Sequence, residues 1–152
     1  ACQKRSAGVM ESLEVYACLA ITISHAFISC WDEKYRSEVI RPETYINQYI
    51  DAGWIPFLQT PPFPEYPSGH SVVSTAAAVM LENIFGKNFA FADSTELEFG
   101  IPVRNFTSFA QAAEEAAISR FYGGIHYIPA IVNGSVEGSA IGNFISQKLK
   151  TK

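Results

Sequence analysis

The sequence has few charged residues, no excess of positive charge and few cysteines. Lysine, arginine, aspartate and glutamate make up 17% of the 152 residues, hydrophobic residues make up 48%, and the net charge is −4. This composition is typical of one globular domain with a sizeable core and excludes a disordered chain. The negative balance argues against a general binder of nucleic acid or anionic membranes, so an anion site needs a local cluster of cations.

Cysteine usage and hydrophobic runs limit the other classes of protein. Cys2, Cys18 and Cys30 are odd in number and lack metal-ligand spacing. Cys18 and Cys30 lie in an apolar predicted helix, which favours small core residues over a disulfide. No run is expected to be a membrane span, because the most apolar one, residues 16–31, contains polar residues. The chain starts at Ala1 and shows no signal peptide, so we expect a processed chain or a fragment. Its compartment is not fixed by the sequence, and a periplasmic or secreted location is compatible with it.

Hydrophobic periodicity predicts a mostly α-helical protein with a single domain over residues 1–152. Pro42 starts a short helix through about Tyr49, and the prolines of residues 51–67 predict a loop. A hairpin is weakly indicated within residues 86–107. Four main helices are predicted, over residues 9–36, 68–85, 106–122 and from near Pro129 to about Lys150.

Two segments at predicted helix ends are suited to binding an oxyanion. In KYRSEVIRP, Lys34 and Arg41 are about two helical turns apart and can face one side, although a solvated basic helix end has the same pattern. In PPFPEYPSGHS, the N–H groups of Gly69 and His70 stand at a helix start, where the dipole attracts anions. Ser68 either joins them or simply caps the helix.

A third segment, SRFYGGIHY, supplies an arginine and a second histidine. Arg120 at a helix end offers a planar fork of donors that matches a tetrahedral oxyanion. After a double glycine comes His126, whose neutral imidazole can serve as a nucleophile or a metal ligand. Taken alone, His126 is equally typical of an ordinary turn histidine.

Together the three segments resemble the superfamily of type 2 phosphatidic acid phosphatases, bacterial acid phosphatases and vanadium-dependent haloperoxidases. Its pattern is Lys-x6-Arg-Pro, then Pro-Ser-Gly-His, then Ser-Arg-x5-His-x3-Asp. The first two motifs are complete here, and the third is present through Ser119, Arg120 and His126. The resemblance covers residues 31–130 and implies an all-α helical bundle of the acid phosphatase/vanadium-dependent haloperoxidase type.

The resemblance also implies a role for each matched residue. His126 would bond to phosphorus in a phosphatase or ligate vanadium in a haloperoxidase, and His70 would be the general acid–base. The phosphate or vanadate oxygens would be held by cations and hydrogen-bond donors, namely Lys34, Arg41, Ser68, Gly69 and Arg120.

One position departs from the family pattern. The aspartate expected four residues after His126 is Ala130. Because such a carboxylate fixes the imidazole tautomer, His126 needs a backbone carbonyl or a carboxylate from elsewhere. Glu114, Glu115 and Glu137 are the candidates, and loss of such a partner typically costs about 10–100-fold in metal affinity or activity.

Two aromatic residues favour the haloperoxidase branch. Trp31 and Phe63 match positions that shape the halide pocket of fungal vanadium chloroperoxidases, although plain core aromatics would look the same. The resemblance implies a haloperoxidase that holds vanadate and oxidises halide with hydrogen peroxide. The alternatives are a soluble, cofactor-free acid phosphatase acting on phosphomonoesters through a phosphohistidine, and a non-catalytic phosphate binder. Related haloperoxidases have a long helical segment before the first motif, so we expect the C-terminal, site-bearing part of a longer protein. A preceding segment or a second chain would complete its fold.

Overall fold

The protein is a helical bundle with one small hairpin, seen in a computed structural model that describes residues 1–149. The hairpin strands are β1 (Phe91–Asp93) and β2 (Arg104–Phe106), which pair antiparallel with Phe91 opposite Phe106. The predicted all-α class is confirmed. The helices are α1 (Val9–Ser37), α2 (Pro42–Tyr49), α3 (Gly69–Phe85), α4 (Phe109–Tyr122) and α5 (Ile128–Lys148).

Most helix boundaries follow signals in the sequence. Pro42 is the first residue of α2. Ser68 caps α3, because its side chain accepts a hydrogen bond from the N–H of Ser71, the third residue of α3. The prediction that α4 begins at residue 106 is wrong, because residues 104–106 form β2. Ser108 then caps α4, which starts at Phe109. The predicted end of the last helix, Lys150, lies outside the described residues.

Helix α3 lies at the centre because glycines let α5 approach it closely. A Cβ atom on Gly138 would lie 2.2 Å from the carbonyl oxygen of Val72. One on Gly142 would lie 2.8 Å from Cβ of Val79, so these contacts require glycine. Helix α1 packs on another side of α3 through a buried cluster that contains Ala26, Cys30, Val72 and Ala76. The N-terminus of α3 is therefore held between α1 and α5.

The proline-rich segment between α2 and α3 is tied to three other parts of the chain. Leu58 N–H donates to the carbonyl of Gly123 at 3.0 Å, after α4. Glu65 N–H donates to Val39 at 2.9 Å, and Ser68 N–H donates to Ala130 at 3.0 Å. The loop is therefore fixed against the C-terminal ends of α1 and α4 and the first turn of α5.

Helix α1 buries one face and leaves much of its apolar surface exposed. Cys18 and Cys30 lie on the buried face, as predicted. Its exposed apolar side chains include Leu13, Tyr16, Ile21, Phe27 and Ile28.

The expectation that no run is long and apolar enough for a membrane span is wrong. The helical stretch Val9–Tyr49 contains an 18-residue window with mean hydropathy 1.6, of which 28% is buried. By length and composition this helix could cross a membrane. That is weak evidence, because core helices and signal sequences share these properties.

Candidate active site

A cavity of about 230 Å³ lies at the N-terminal end of α3. Apolar side chains, including Phe27, Val73 and Ile125, form much of its wall. Six of the predicted site residues line it, namely Trp31, Phe63, Gly69, His70, Arg120 and His126. Segments separated by up to 95 positions in the sequence therefore meet at one site.

The second histidine of the site is buried and held from both sides of its ring. His126 is 5% exposed. Its Nδ1 atom lies 2.7 Å from Oε1 of Glu65, and its Nε2 atom lies 3.1 Å from Nη1 of Arg41. A guanidinium only donates hydrogen bonds, so Nε2 must accept and Nδ1 must carry the proton. Burial lowers the pKa of His126, Arg41 adds to this, and the hydrogen bond to Glu65 opposes it.

Glu65, which the sequence analysis missed, supplies the carboxylate that Ala130 cannot. It is 1% exposed, and Oε1 also accepts the backbone N–H of Tyr127 at 3.0 Å. The three candidates from the sequence were wrong. Glu137 accepts a hydrogen bond from Ser29, Glu115 pairs with Arg104, and Glu114 is exposed. A signal for Glu65 did exist, because it is the one acidic residue between Asp51 and Glu82.

The first two cations lie under the proline-rich loop and behind the cavity wall. Lys34 is fully buried, and its Nζ donates to the carbonyls of Pro64, Glu65 and Pro67 at 2.9, 3.1 and 2.6 Å. Burial lowers its pKa to about 8. Arg41 donates through Nε to Phe63 at 3.0 Å, through Nη2 to Pro64 at 3.2 Å, and through Nη1 to Ile125 at 2.8 Å. Both cations therefore hold the loop while bringing positive charge to the site.

The third cation faces the cavity with an unpaired donor. Arg120 is in the last turn of α4, and its Nε is buried without a hydrogen-bond partner among residues 1–149. Because a buried unpaired N–H is costly, it indicates a position for a missing acceptor. This orphaned donor fits an oxyanion in the cavity.

The start of α3 supplies a histidine and closely packed backbone. Burial lowers the pKa of His70, and the positive charge of Arg120 lowers it further, which favours the neutral imidazole at pH 7. A Cβ on Gly69 would lie 3.4 Å from the ring of Trp31, so this turn packs directly on the aromatic wall. Ser68 is fully buried, and its Oγ accepts the backbone N–H of Ser71 at 3.4 Å, which is the capping role.

The aromatic wall contacts the cations as well as the cavity. The Trp31 ring stacks on Phe27 with centroids 3.9 Å apart, and it lies 5.1 Å from the Phe63 ring. Nζ of Lys34 lies 5.4 Å from the Phe63 centroid, and the guanidinium carbon of Arg41 lies 5.2 Å from it. These rings therefore shield the buried positive charge from water and give the cavity an apolar side.

Comparison with known proteins shows the family of this chain. The family described as the VCPO second helical-bundle domain matches residues 47–152. The chain belongs to the vanadium haloperoxidase family. A crystal structure described as the first bacterial vanadium-dependent iodoperoxidase is 57% identical, with a TM-score of 0.95. That similarity covers 97% of this chain and 36% of the iodoperoxidase.

Two further solved structures share the fold at low sequence identity. Holo and apo forms of a bacterial vanadium-dependent chloroperoxidase are each 19% identical, with TM-scores of 0.72 and 0.79. They cover 86% and 92% of this chain, and the chain covers 34% and 37% of theirs. The chain therefore spans about a third of the length of these solved relatives. No curated protein matches it.

Proposed function

We propose that this chain carries the active site of a vanadium-dependent haloperoxidase, which oxidises a halide with hydrogen peroxide. The observation that carries the proposal is the unpaired, buried Nε of Arg120 in the same cavity as the fixed His126. An orphaned donor lies beside an imidazole whose lone pair is on Nε2, where Arg41 now donates to it. This arrangement suits an anion that accepts hydrogen bonds and takes Nε2 as a ligand in place of that contact. Vanadate meets both requirements.

Three cations, His126 and the start of α3 would hold the anion. Arg120 would donate to its oxygens, and the backbone N–H groups at Gly69 and His70 would add donors and the positive end of the helix dipole. Arg41 and Lys34 would supply charge from behind the loop. His126 would provide the single protein ligand to vanadium through Nε2. The cluster is positive overall although the chain carries a net charge of −4.

His70 would move the proton that the reaction requires. When bound, vanadate supplies the activation of peroxide toward a halide. Overall, the O–O bond of hydrogen peroxide breaks, and one oxygen bonds to the halide as hypohalous acid while the other takes up one proton and leaves as water. The halide loses the two electrons by which the peroxide is reduced. His70 lines the cavity and is neutral at pH 7, so it can accept a proton from incoming peroxide and return it.

We propose iodide as the first halide to test. The 57% identical relative is described as an iodoperoxidase. The aromatic wall of Trp31 and Phe63 lies beside the cationic site, and a large, weakly hydrated anion suits a partly apolar pocket.

Phosphate-ester hydrolysis is the second candidate because His126 suits it equally well. A neutral imidazole with Nδ1–H bound to a carboxylate carries its lone pair on Nε2, which is the arrangement of a nucleophile once the contact with Arg41 opens. The same cations would stabilise a transferring phosphoryl group. A non-catalytic anion site is the remaining possibility on this scaffold.

The exposed apolar face of α1 supports a partner that completes the fold. Tyr16 is 67% exposed and Ile28 is 66% exposed, on a helix that buries only its other side. A patch of this kind marks an interaction surface. We propose that it packs against helices of the longer protein, because this chain spans about a third of its solved relatives.

The deciding experiment measures two activities of the full-length protein. With orthovanadate and peroxide, iodide oxidation is followed as triiodide. The vanadate-free protein is tested for hydrolysis of an aryl phosphate. We expect iodide oxidation that is lost in His126→Ala and kept in His25→Ala, an exposed histidine of α1 outside the cavity.

The other results would replace this proposal. Hydrolysis without halide oxidation would make the protein a phosphatase. Vanadate binding with neither activity would make it a non-catalytic anion site.

A further inference from the structure

One contact in the site joins a motif histidine to a residue that none of the three family motifs includes. Glu65 lies in the proline-rich loop and His126 follows α4, 61 positions later, yet their side chains are 2.7 Å apart. Both are almost fully buried, so the contact is shielded from water. Glu65 therefore acts on a site residue without itself lining the cavity.

Four hydrogen bonds fix the Glu65 residue. Its N–H donates to Val39 at 2.9 Å, and its carbonyl accepts from Lys34 at 3.1 Å. Its Oε1 accepts from Tyr127 N–H at 3.0 Å as well as from His126. Since the same oxygen binds residues 126 and 127, the carboxylate sets both the ring and the backbone beside it.

The contact on the opposite side of the His126 ring requires the same tautomer. Arg41 can only donate to Nε2, and Glu65 is positioned to accept from Nδ1. The reverse tautomer would set a proton on Nε2 against the Arg41 donor and leave the carboxylate facing a bare Nδ1. Each side of the ring therefore enforces the same state, in which Nε2 carries the lone pair.

We propose that Glu65 is the positioning residue for His126, holding it as the Nδ1–H tautomer with Nε2 available as a ligand. This proposal rests on the proposed vanadate site and assigns its ligand-orienting carboxylate to the loop before α3. Ala130, where the family motif has aspartate, is fully buried and has no side-chain oxygen, so it leaves this role to Glu65.

The test separates tautomer control from general anion attraction. In the full-length protein, nitrogen NMR of labelled histidine reports the tautomer of His126 at fixed pH. Titration with vanadate and with sulfate gives two affinities. Only vanadate needs the Nε2 bond, so the ratio of the two affinities isolates that bond from the charge of the site.

Two variants at Glu65 and one control define the expected result. Glu65→Leu removes the acceptor, so we expect a mixed tautomer and a vanadate-to-sulfate ratio lower by about 10–100-fold. Glu65→Gln keeps an acceptor without the charge, so we expect the wild-type tautomer and an intermediate ratio. Glu82→Gln should change neither, since that carboxylate accepts a backbone N–H from Ala110 at 3.3 Å and is outside the cavity lining.

Unchanged tautomer and ratio in a folded Glu65→Leu protein would overturn the proposal. If that variant does not fold, Glu65→Gln decides, and an unchanged ratio there overturns it. Vanadate binding without halide oxidation in the wild type would end the proposed function and leave the role of Glu65 intact. Halide oxidation by the wild type, together with a His126 tautomer that does not change in the Glu65 variants, would support the proposed function and overturn the role of Glu65.

Discussion

Replacing Arg120 by methionine should leave the vanadate-free protein as stable as the wild type or more stable, while weakening anion binding. The buried Nε of Arg120 has no partner among the described residues. Leaving such a donor unpaired costs about 1–3 kcal/mol, so its removal offsets the loss of packing. We expect the free energy of unfolding to stay unchanged or to rise by about 1 kcal/mol.

Arg41→Met is the matched comparison, for which we expect a loss of stability. Arg41 donates to the carbonyls of Phe63, Pro64 and Ile125, and it is 5% exposed. Methionine would leave these buried acceptors without their donors, at about 1–3 kcal/mol each before relaxation. We expect the free energy of unfolding to fall by about 3 kcal/mol or more.

Urea unfolding and vanadate titration of the full-length protein check both variants. Each charge-assisted hydrogen bond to the anion contributes about 1.5–3 kcal/mol, so Arg120→Met should weaken vanadate binding by about 10–150-fold. A vanadate-free Arg120→Met protein that is destabilised as much as Arg41→Met would refute the reasoning. It would mean that Arg120 stabilises the fold and that its Nε does not mark a position for an anion.

Three further predictions concern the close contact between α5 and α3, the buried Lys34 and the exposed face of α1. In Gly138→Ala, the new methyl would meet Val72 backbone at 2.2 Å, so we expect a loss of about 1–3 kcal/mol by urea unfolding. Gly134→Ala, at 3.0 Å from its nearest atom, should cost clearly less, and equal losses would contradict this packing. Burial lowers the pKa of Lys34 to about 8 from an ordinary value of 10.5. Between these two pH values the unfolded chain binds more protons at Lys34 than the folded chain does. The free energy of unfolding should therefore rise from pH 8 toward 10.5, by about 1 kcal/mol per pH unit. The same slope in Lys34→Met would rule out this source. If other helices cover the exposed α1 face in the full-length protein, Ile28→Asp should lower its free energy of unfolding by about 2 kcal/mol or more. Leu97→Asp, on an exposed turn, is the control and should change it by no more than about 0.5 kcal/mol. Equally small effects of the two substitutions would show that nothing covers the α1 face.

The helices could be predicted because their signals are local, whereas the residues of the cavity could be predicted because they match the motifs of a known family. Pro42, Ser68 and the apolar periodicity each act within a few residues, so the sequence indicates where helices start and which side is buried. The predicted boundary at 106 is wrong because β2 forms only through pairing with β1, whose residues lie 11 to 15 positions earlier in the chain. Pairing of that kind has no local signature strong enough to stop a helix prediction.

The cations show a different limit. Sequence spacing predicts that Lys34 and Arg41 face one side, with either a bound anion or solvent as their partner. In the structure both donate to loop carbonyls. The course of a proline-rich loop depends on contacts with α1, α4 and α5, and no short-range pattern encodes which carbonyls turn inward.

Glu65 shows why the residue that orients His126 could not be found by spacing. The sequence motif locates the ligand-orienting carboxylate by its distance along the chain from the histidine, at position 130. The physical requirement is only that an oxygen lie within hydrogen-bond distance of Nδ1 and be held there. The loop meets that requirement from 61 positions earlier, because Ser68 N–H bonds to the carbonyl of Ala130 and brings the loop onto the first turn of α5. The backbone of residue 130 thus positions the segment whose side chain supplies the carboxylate that residue 130 itself lacks.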